Sequence, residues 1–250
     1  MTNNNMYFVA NWKMFGNLKS IKSTNNVIKL TKLKKFQKLR IIYCPPYTLL
    51  DALIKKTKNS RISVGAQNCH YRSDYGAYTG SVNAKMIKDI GSNYVILGHS
   101  EARLEGDDDK KINFKIKSAL DAKLKVIFCV GESLKNKKNN RTNQVIKKQI
   151  NIGLKKINNY KNIIVAYEPV WSIGTGILPS KIELEKNINF IRKLLNKRKN
   201  GKKVIILYGG SVNSNNIKNL IKISQIKGFI VGGASLKAKN FIDIIKKSIN

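Results

Sequence analysis

The chain has 250 residues, 42% of them hydrophobic and 8% aromatic, with 48 Lys+Arg against 14 Asp+Glu and a formal charge of +34. That length holds one large domain or two small ones, its apolar content excludes a disordered chain, and no apolar run nears the ~20 residues that cross a bilayer. Only seven of the basic residues are arginine, the better base reader, and the 41 lysines are spread along the chain rather than gathered with aromatics, so neither a specific nucleic acid nor a membrane is expected as partner.

The opening Met1-Thr2-Asn3-Asn4-Asn5 has neither the basic start nor the apolar stretch of an export signal, which predicts a cytoplasmic protein. Eight short β-branched or aromatic runs follow: Tyr7 to Asn11, Arg40 to Tyr43, Ile62 to Ala66, Tyr94 to Leu97, Val126 to Val130, Ile163 to Tyr167, Val204 to Tyr208, and Phe229 to Val231. Each ends in Gly, Pro, Asn or a polar residue, and each precedes a stretch long enough for a helix. Near-continuous apolarity marks strands buried on both faces, as in a parallel sheet covered by helices. With no linker or composition break, the pattern predicts an α/β fold, a single (β/α)8 barrel domain over residues 1–250.

Between the strands, Ile28 to Leu33 and Ile182 to Leu195 carry apolar residues at helical spacing, with lysines on the outer positions. Pro179-Ser180-Lys181-Ile182-Glu183 reads as a capped helix start, Ser180 accepting the Glu183 N–H and the Glu183 carboxylate returning the bond. Cys44, Cys69 and Cys129 are an odd number without metal-ligand spacing, so they read as reduced thiols; no metal and no cofactor are expected.

Loops at the carboxyl ends of barrel strands build the site in such folds, and chemical residues gather there. The first strand ends in Ala10-Asn11-Trp12-Lys13-Met14, the fourth in Leu97-Gly98-His99-Ser100-Glu101 and the sixth in Ala166-Tyr167-Glu168-Pro169. The seventh and eighth run into Tyr208-Gly209-Gly210-Ser211-Val212 and Val231-Gly232-Gly233-Ala234-Ser235, glycine turns opening towards helices and so candidate phosphate cradles. His99 is one of two histidines and is placed to donate to a substrate carbonyl; His70 reads as a surface or interface residue. Taken singly, Glu168 could be half of a structural ion pair and Lys13 one lysine among many.

Taken in order, these blocks, with Pro169-Val170-Trp171 and Ile173-Gly174-Thr175-Gly176, resemble the triosephosphate isomerase family over nearly the whole chain. The resemblance implies a TIM barrel that interconverts dihydroxyacetone phosphate and D-glyceraldehyde 3-phosphate in glycolysis and gluconeogenesis, moving a proton through an enediolate without a cofactor. It assigns Glu168 as base and His99 as neutral electrophile, a role for which this family is itself the standard illustration. Lys13 would supply fixed positive charge, Asn11 would position both substrate and Lys13, and Glu101 would orient Lys13. Gly174, Ser211, Gly232 and Gly233 would donate N–H groups to the phosphate. Pro169 to Gly176 would form a lid that closes the site to water, with Ile173 over the carboxylate.

The resemblance also implies a homodimer through the loop Gln67 to Gly80, with Tyr75, Tyr78 and Thr79 reaching beside the partner's Asn11, Lys13 and Glu101. Two departures bear on it. Ala102 replaces one of two arginines usual after His-Ser-Glu, leaving Arg103 alone, and Ser81 replaces the acid usual after Thr-Gly. Those partners pair across the family interface, so their joint loss predicts a dimer without that bridge, close to neutral where losing one partner would strand a charge. The loop reads one residue longer than usual and the segment Leu104 to Asp109 one shorter, with Asp107 where Glu is common. Another sugar-phosphate isomerase or epimerase, a basic nucleic-acid binder and an inactive barrel fit these blocks less well.

Overall fold

The computed structural model describes residues 6–249; the opening Met1 to Asn5, read above for its lack of an export signal, and Asn250 lie outside the described residues. Eight strands, β1 (Tyr7–Asn11), β2 (Arg40–Cys44), β3 (Ile62–Ala66), β4 (Tyr94–Leu97), β5 (Lys125–Val130), β6 (Ile163–Tyr167), β7 (Ile205–Tyr208) and β8 (Gly228–Val231), close into a barrel in chain order. All pairs are parallel, and β1 closes the ring by pairing both with β2 and with β8, Ala10 lying opposite Tyr43 on one side and Val231 on the other.

Strand alternation explains why the runs look apolar throughout. Val9, Ile42, Ile96, Ile127, Ala166 and Leu207 belong to a core cluster inside the barrel, while Phe8, Tyr43, Val95, Phe128 and Tyr208 belong to a second cluster shared with the helices. Phe8, Tyr43 and Phe241 meet edge to face in that outer layer, ring centroids 5.7 to 6.5 Å apart.

The helical segments form where the periodicity places them, as Thr24–Lys32, with Leu33 just past its end, and Lys181–Asn196. Ser180 caps the latter by accepting the Glu183 N–H at 3.2 Å. The return bond is not made, because Lys137 holds the Glu183 carboxylate at 2.8 Å. A second correction concerns the β7 turn, which does not open directly into a helix. Asn213 and Asn216 fold residues after Ser211 into side-chain-capped turns, and the next helix is the four-residue Ile217–Leu220. The β8 turn does lead straight into a helical turn, Gly233–Ser235.

All three cysteines are free and buried. No helix among the described residues is long and apolar enough to cross a membrane. The lysine coat has one exception: Lys115 and Asp107 are buried together as an ion pair, and the Lys115 ammonium also donates to Asn68 Oδ1 at 3.0 Å.

Candidate active site

The β1 end sets the first side chain by backbone geometry. Lys13 takes a positive φ of 52°, unusual for a side-chain-bearing residue. Asn11 Oδ1 accepts the Lys13 N–H at 3.1 Å, and Gln67 Nε2 donates to the Lys13 carbonyl at 2.9 Å and to Cys44 O at 2.7 Å. The strained corner is therefore gripped from two elements. From it the Lys13 ammonium reaches Glu101 Oε1 at 2.8 Å.

At the β4 end, His99 precedes the short helix Ser100–Leu104, and its Nδ1 accepts the Glu101 N–H at 3.3 Å. Nδ1 also lies 3.4 Å from Glu101 Oε2. An amide is always a donor whereas the ring proton is optional, and helix N-terminal N–H groups disfavour added positive charge. The ring proton accordingly sits on Nε2, aimed into the barrel mouth, and the carboxylate of Glu101 belongs to Lys13. Arg103 turns inward, donating to Gly98 O at 2.8 Å and pairing with Asp109 at 2.6 Å.

Glu168, directly after β6, is 2% exposed, and neither carboxylate oxygen has a hydrogen-bond partner among the described residues. Its Oε2 stands 3.7 Å from His99 Nε2, beyond a hydrogen bond. Burial pushes the Glu168 carboxyl above its ordinary value; nearby His99 and Lys13 pull the other way without cancelling it. An isolated carboxylate is costly in such a place, so the fold holds this one there at some expense. Gly209 leaves it room: a Cβ there would fall 2.6 Å from Oε1 and 2.7 Å from Cγ.

These groups line one cavity of about 270 Å³, whose walls also include Ile173, Gly174, Ser211, Gly232 and Gly233. Asn11, Lys13, His99 and Glu168 thus meet the residues read as phosphate donors, while Glu101 stands behind Lys13 and His99. Gly174 and Gly176 bend the covering segment with positive φ of 71° and 78°. Val170–Ser172 form a single helical turn at its root, where Glu132 accepts from Trp171 Nε1 at 2.8 Å and Lys137 lies 3.6 Å above the indole ring. The Ser211 amide is already engaged, donating to Ser172 Oγ at 3.3 Å.

Sequence reasoning took Gly209 for part of a phosphate cradle and did not single out Gln67, Glu132, Lys137 or Ser172. A Gly-Gly pair beside a strand end that faces an acid is the one signal that could have suggested Gly209's clearing role. On the loop 67–80, His70 stacks between Tyr71 and Tyr78 with ring centroids 4.4 and 4.9 Å away. Tyr75, Tyr78 and Met86 are exposed and share a small cavity, and Ser81 is exposed beside them.

Residues 6–248 match the profile of the family described as Triosephosphate isomerase. The triosephosphate isomerase of Clostridium botulinum (strain Okra / Type B1) is 40% identical over 244 residues, covering 94% of this chain and 96% of that protein. That of Endomicrobium trichonymphae is 40% identical over 245 residues, covering 94% and 98%. Among solved structures, the crystal structure of triosephosphate isomerase from Bartonella henselae superposes with a TM-score of 0.90 at 32% identity, covering 98% of this chain and all of that one.

Proposed function

The chain belongs to the triosephosphate isomerase family and is an isomerase that interconverts dihydroxyacetone phosphate and D-glyceraldehyde 3-phosphate; from that premise we propose how its own residues carry the reaction. The Glu168 carboxylate takes a proton from carbon 1 of dihydroxyacetone phosphate. Electrons move into the C1–C2 bond and onto the carbonyl oxygen, giving an enediolate. His99 Nε2–H donates to the two oxygens and passes protons between them, and Glu168 returns its proton to carbon 2 to yield the aldehyde. Lys13, held by Asn11 and Glu101, supplies positive charge beside the developing anion and the phosphate.

The observation that carries this reading is the unpartnered, covered Glu168 carboxylate standing 3.7 Å from the imidazole N–H, a gap that substrate oxygens and carbons can fill. Desolvation makes the carboxylate a stronger base than it would be in water, which a carbon-bound proton requires. Amides of Gly174, Ser211, Gly232 and Gly233 would hold the phosphate, so that binding energy from the inert end of the substrate keeps the lid, residues 169–176, over the reacting end. The net charge of +34 favours entry of an anionic substrate, an effect that salt weakens.

The homodimer through residues 67–80 belongs to the same proposal. Its support is the exposed Tyr75, Tyr78 and Met86 on a loop whose first residue, Gln67, grips the Lys13 corner. The test is a coupled assay with each triose phosphate, with inorganic phosphate as competitor. Turnover of both substrates with competitive inhibition is expected, and Gly233→Asp, which puts a carboxylate in the cradle, should raise KM about tenfold or more through like-charge repulsion. Phosphate inhibition that is not competitive, with KM unmoved by Gly233→Asp, would refute the cradle.

A further inference from the structure

Ser172 sits at the root of the lid and is fully buried. Its hydroxyl touches three groups: the Ile177 carbonyl at 2.6 Å, the Tyr208 hydroxyl at 3.2 Å and the Ser211 N–H at 3.3 Å. A hydroxyl has one proton and two lone pairs. The carbonyl can only accept, so Ser172 gives its proton to Ile177. Ser211 N–H can only donate, so it fills one lone pair. Tyr208 must then donate to the other, and every hydrogen-bonding position on the Ser172 oxygen is used. One oxygen joins both ends of the lid to each other and to the β7 strand and turn.

The neighbouring turn is shaped around this junction. A Cβ on Gly210 would fall 2.3 Å from the Tyr208 oxygen and 2.8 Å from Ser172 Oγ, so a side chain there would break it. We propose that Ser172 is a positioning residue whose hydroxyl clasps the lid to the β7 turn, holding it over Glu168 before any phosphate has bound. The inference rests on the reading of residues 169–176 as a lid and of the Ser211 amide as a phosphate donor.

The clasp and the phosphate share that amide. A charge-assisted bond to phosphate, typically about 2.7–2.9 Å, is stronger than the 3.3 Å contact to a neutral hydroxyl, so the incoming anion takes the amide. Ser172 keeps Ile177 and Tyr208, and the lid stays down. Part of the ordering that substrate binding would otherwise have to impose is thereby made by the protein beforehand.

The test compares wild type with Ser172→Ala and Tyr208→Phe, the second removing one donor while keeping the serine. Amide hydrogen exchange of residues 173–178 in ligand-free protein should accelerate severalfold in Ser172→Ala and less in Tyr208→Phe. KM should rise about 2- to 10-fold in Ser172→Ala, the range set by losing modest hydrogen bonds, with kcat within about twofold of wild type. Should Ser172→Ala fail to fold, Tyr208→Phe still decides on the same readouts. Unchanged lid exchange in the variants, or a fall in kcat at constant KM, would overturn the clasp. Failure of the phosphate reading is seen separately, as loss of competitive inhibition by inorganic phosphate in wild type, because lid exchange without ligand does not depend on it.

Discussion

Two buried glutamates follow neighbouring strands of this barrel and live under opposite terms. Glu132, beyond β5, is wholly buried but accepts bonds from Trp171 Nε1 at 2.8 Å and the Tyr167 hydroxyl at 3.1 Å. Glu168, beyond β6, is buried just as deeply and accepts none among the described residues. Burial pushes both carboxyls up; at Glu132 the indole and phenol donors counter it, while at Glu168 the charges of His99 and Lys13 do. Burial alone therefore does not mark a working acid. The distinguishing feature is an empty hydrogen-bonding shell facing a cavity, and the contrast separates a residue that holds the lid root from one that does chemistry.

The sharpest way to break this contrast is Glu168→Gln. It should lower kcat about 10³-fold or more, within what positioned acid–base groups contribute, while leaving stability equal or higher, since an unpaired buried carboxylate is removed. Gly209→Ala should come next, at about 10²-fold in kcat, because its methyl displaces the Glu168 carboxyl from its place opposite His99. Steady-state kinetics with circular dichroism to confirm the fold would check both.

At Glu132 the effect should fall on stability instead. Glu132→Leu leaves the Trp171 N–H without its acceptor and should cost about 1–3 kcal/mol in denaturant unfolding, with kcat changed less than Glu168→Gln changes it. The pH dependence sharpens the comparison further. Because the Glu168 carboxyl is raised, folding favours its protonated form, so wild type should lose stability relative to Glu168→Gln as pH climbs from the ordinary carboxylate range through the raised value. The acid limb of kcat/KM should sit above that ordinary range, since the base must be ionised. The smallest effect expected is on assembly: dilution should lower specific activity if residues 67–80 complete a partner's site, and a fully active monomer would contradict that.

Much of this was legible in the sequence for a physical reason. Strands buried on both faces leave uninterrupted apolar runs, and Asn11, Lys13, His99 and Glu168 each stand where such a run stops. The rest depended on contacts between distant parts of the chain. Ser180 capping its helix was readable, but Glu183 turning to Lys137, 46 residues away, was not. The β7 turn looked like a helix start until Asn213 and Asn216 folded it otherwise. Gly209 and Ser172 carry no signal of their own, because one works by leaving space and the other by filling three bonds at once.

The most direct measurement is wash-in of deuterium from D2O into carbon 1 of dihydroxyacetone phosphate, followed by proton NMR with wild type and Glu168→Gln. If Glu168 moves the proton, the variant should lose exchange by about the same factor as turnover. Exchange at the wild-type rate in Glu168→Gln would mean that another group takes the proton.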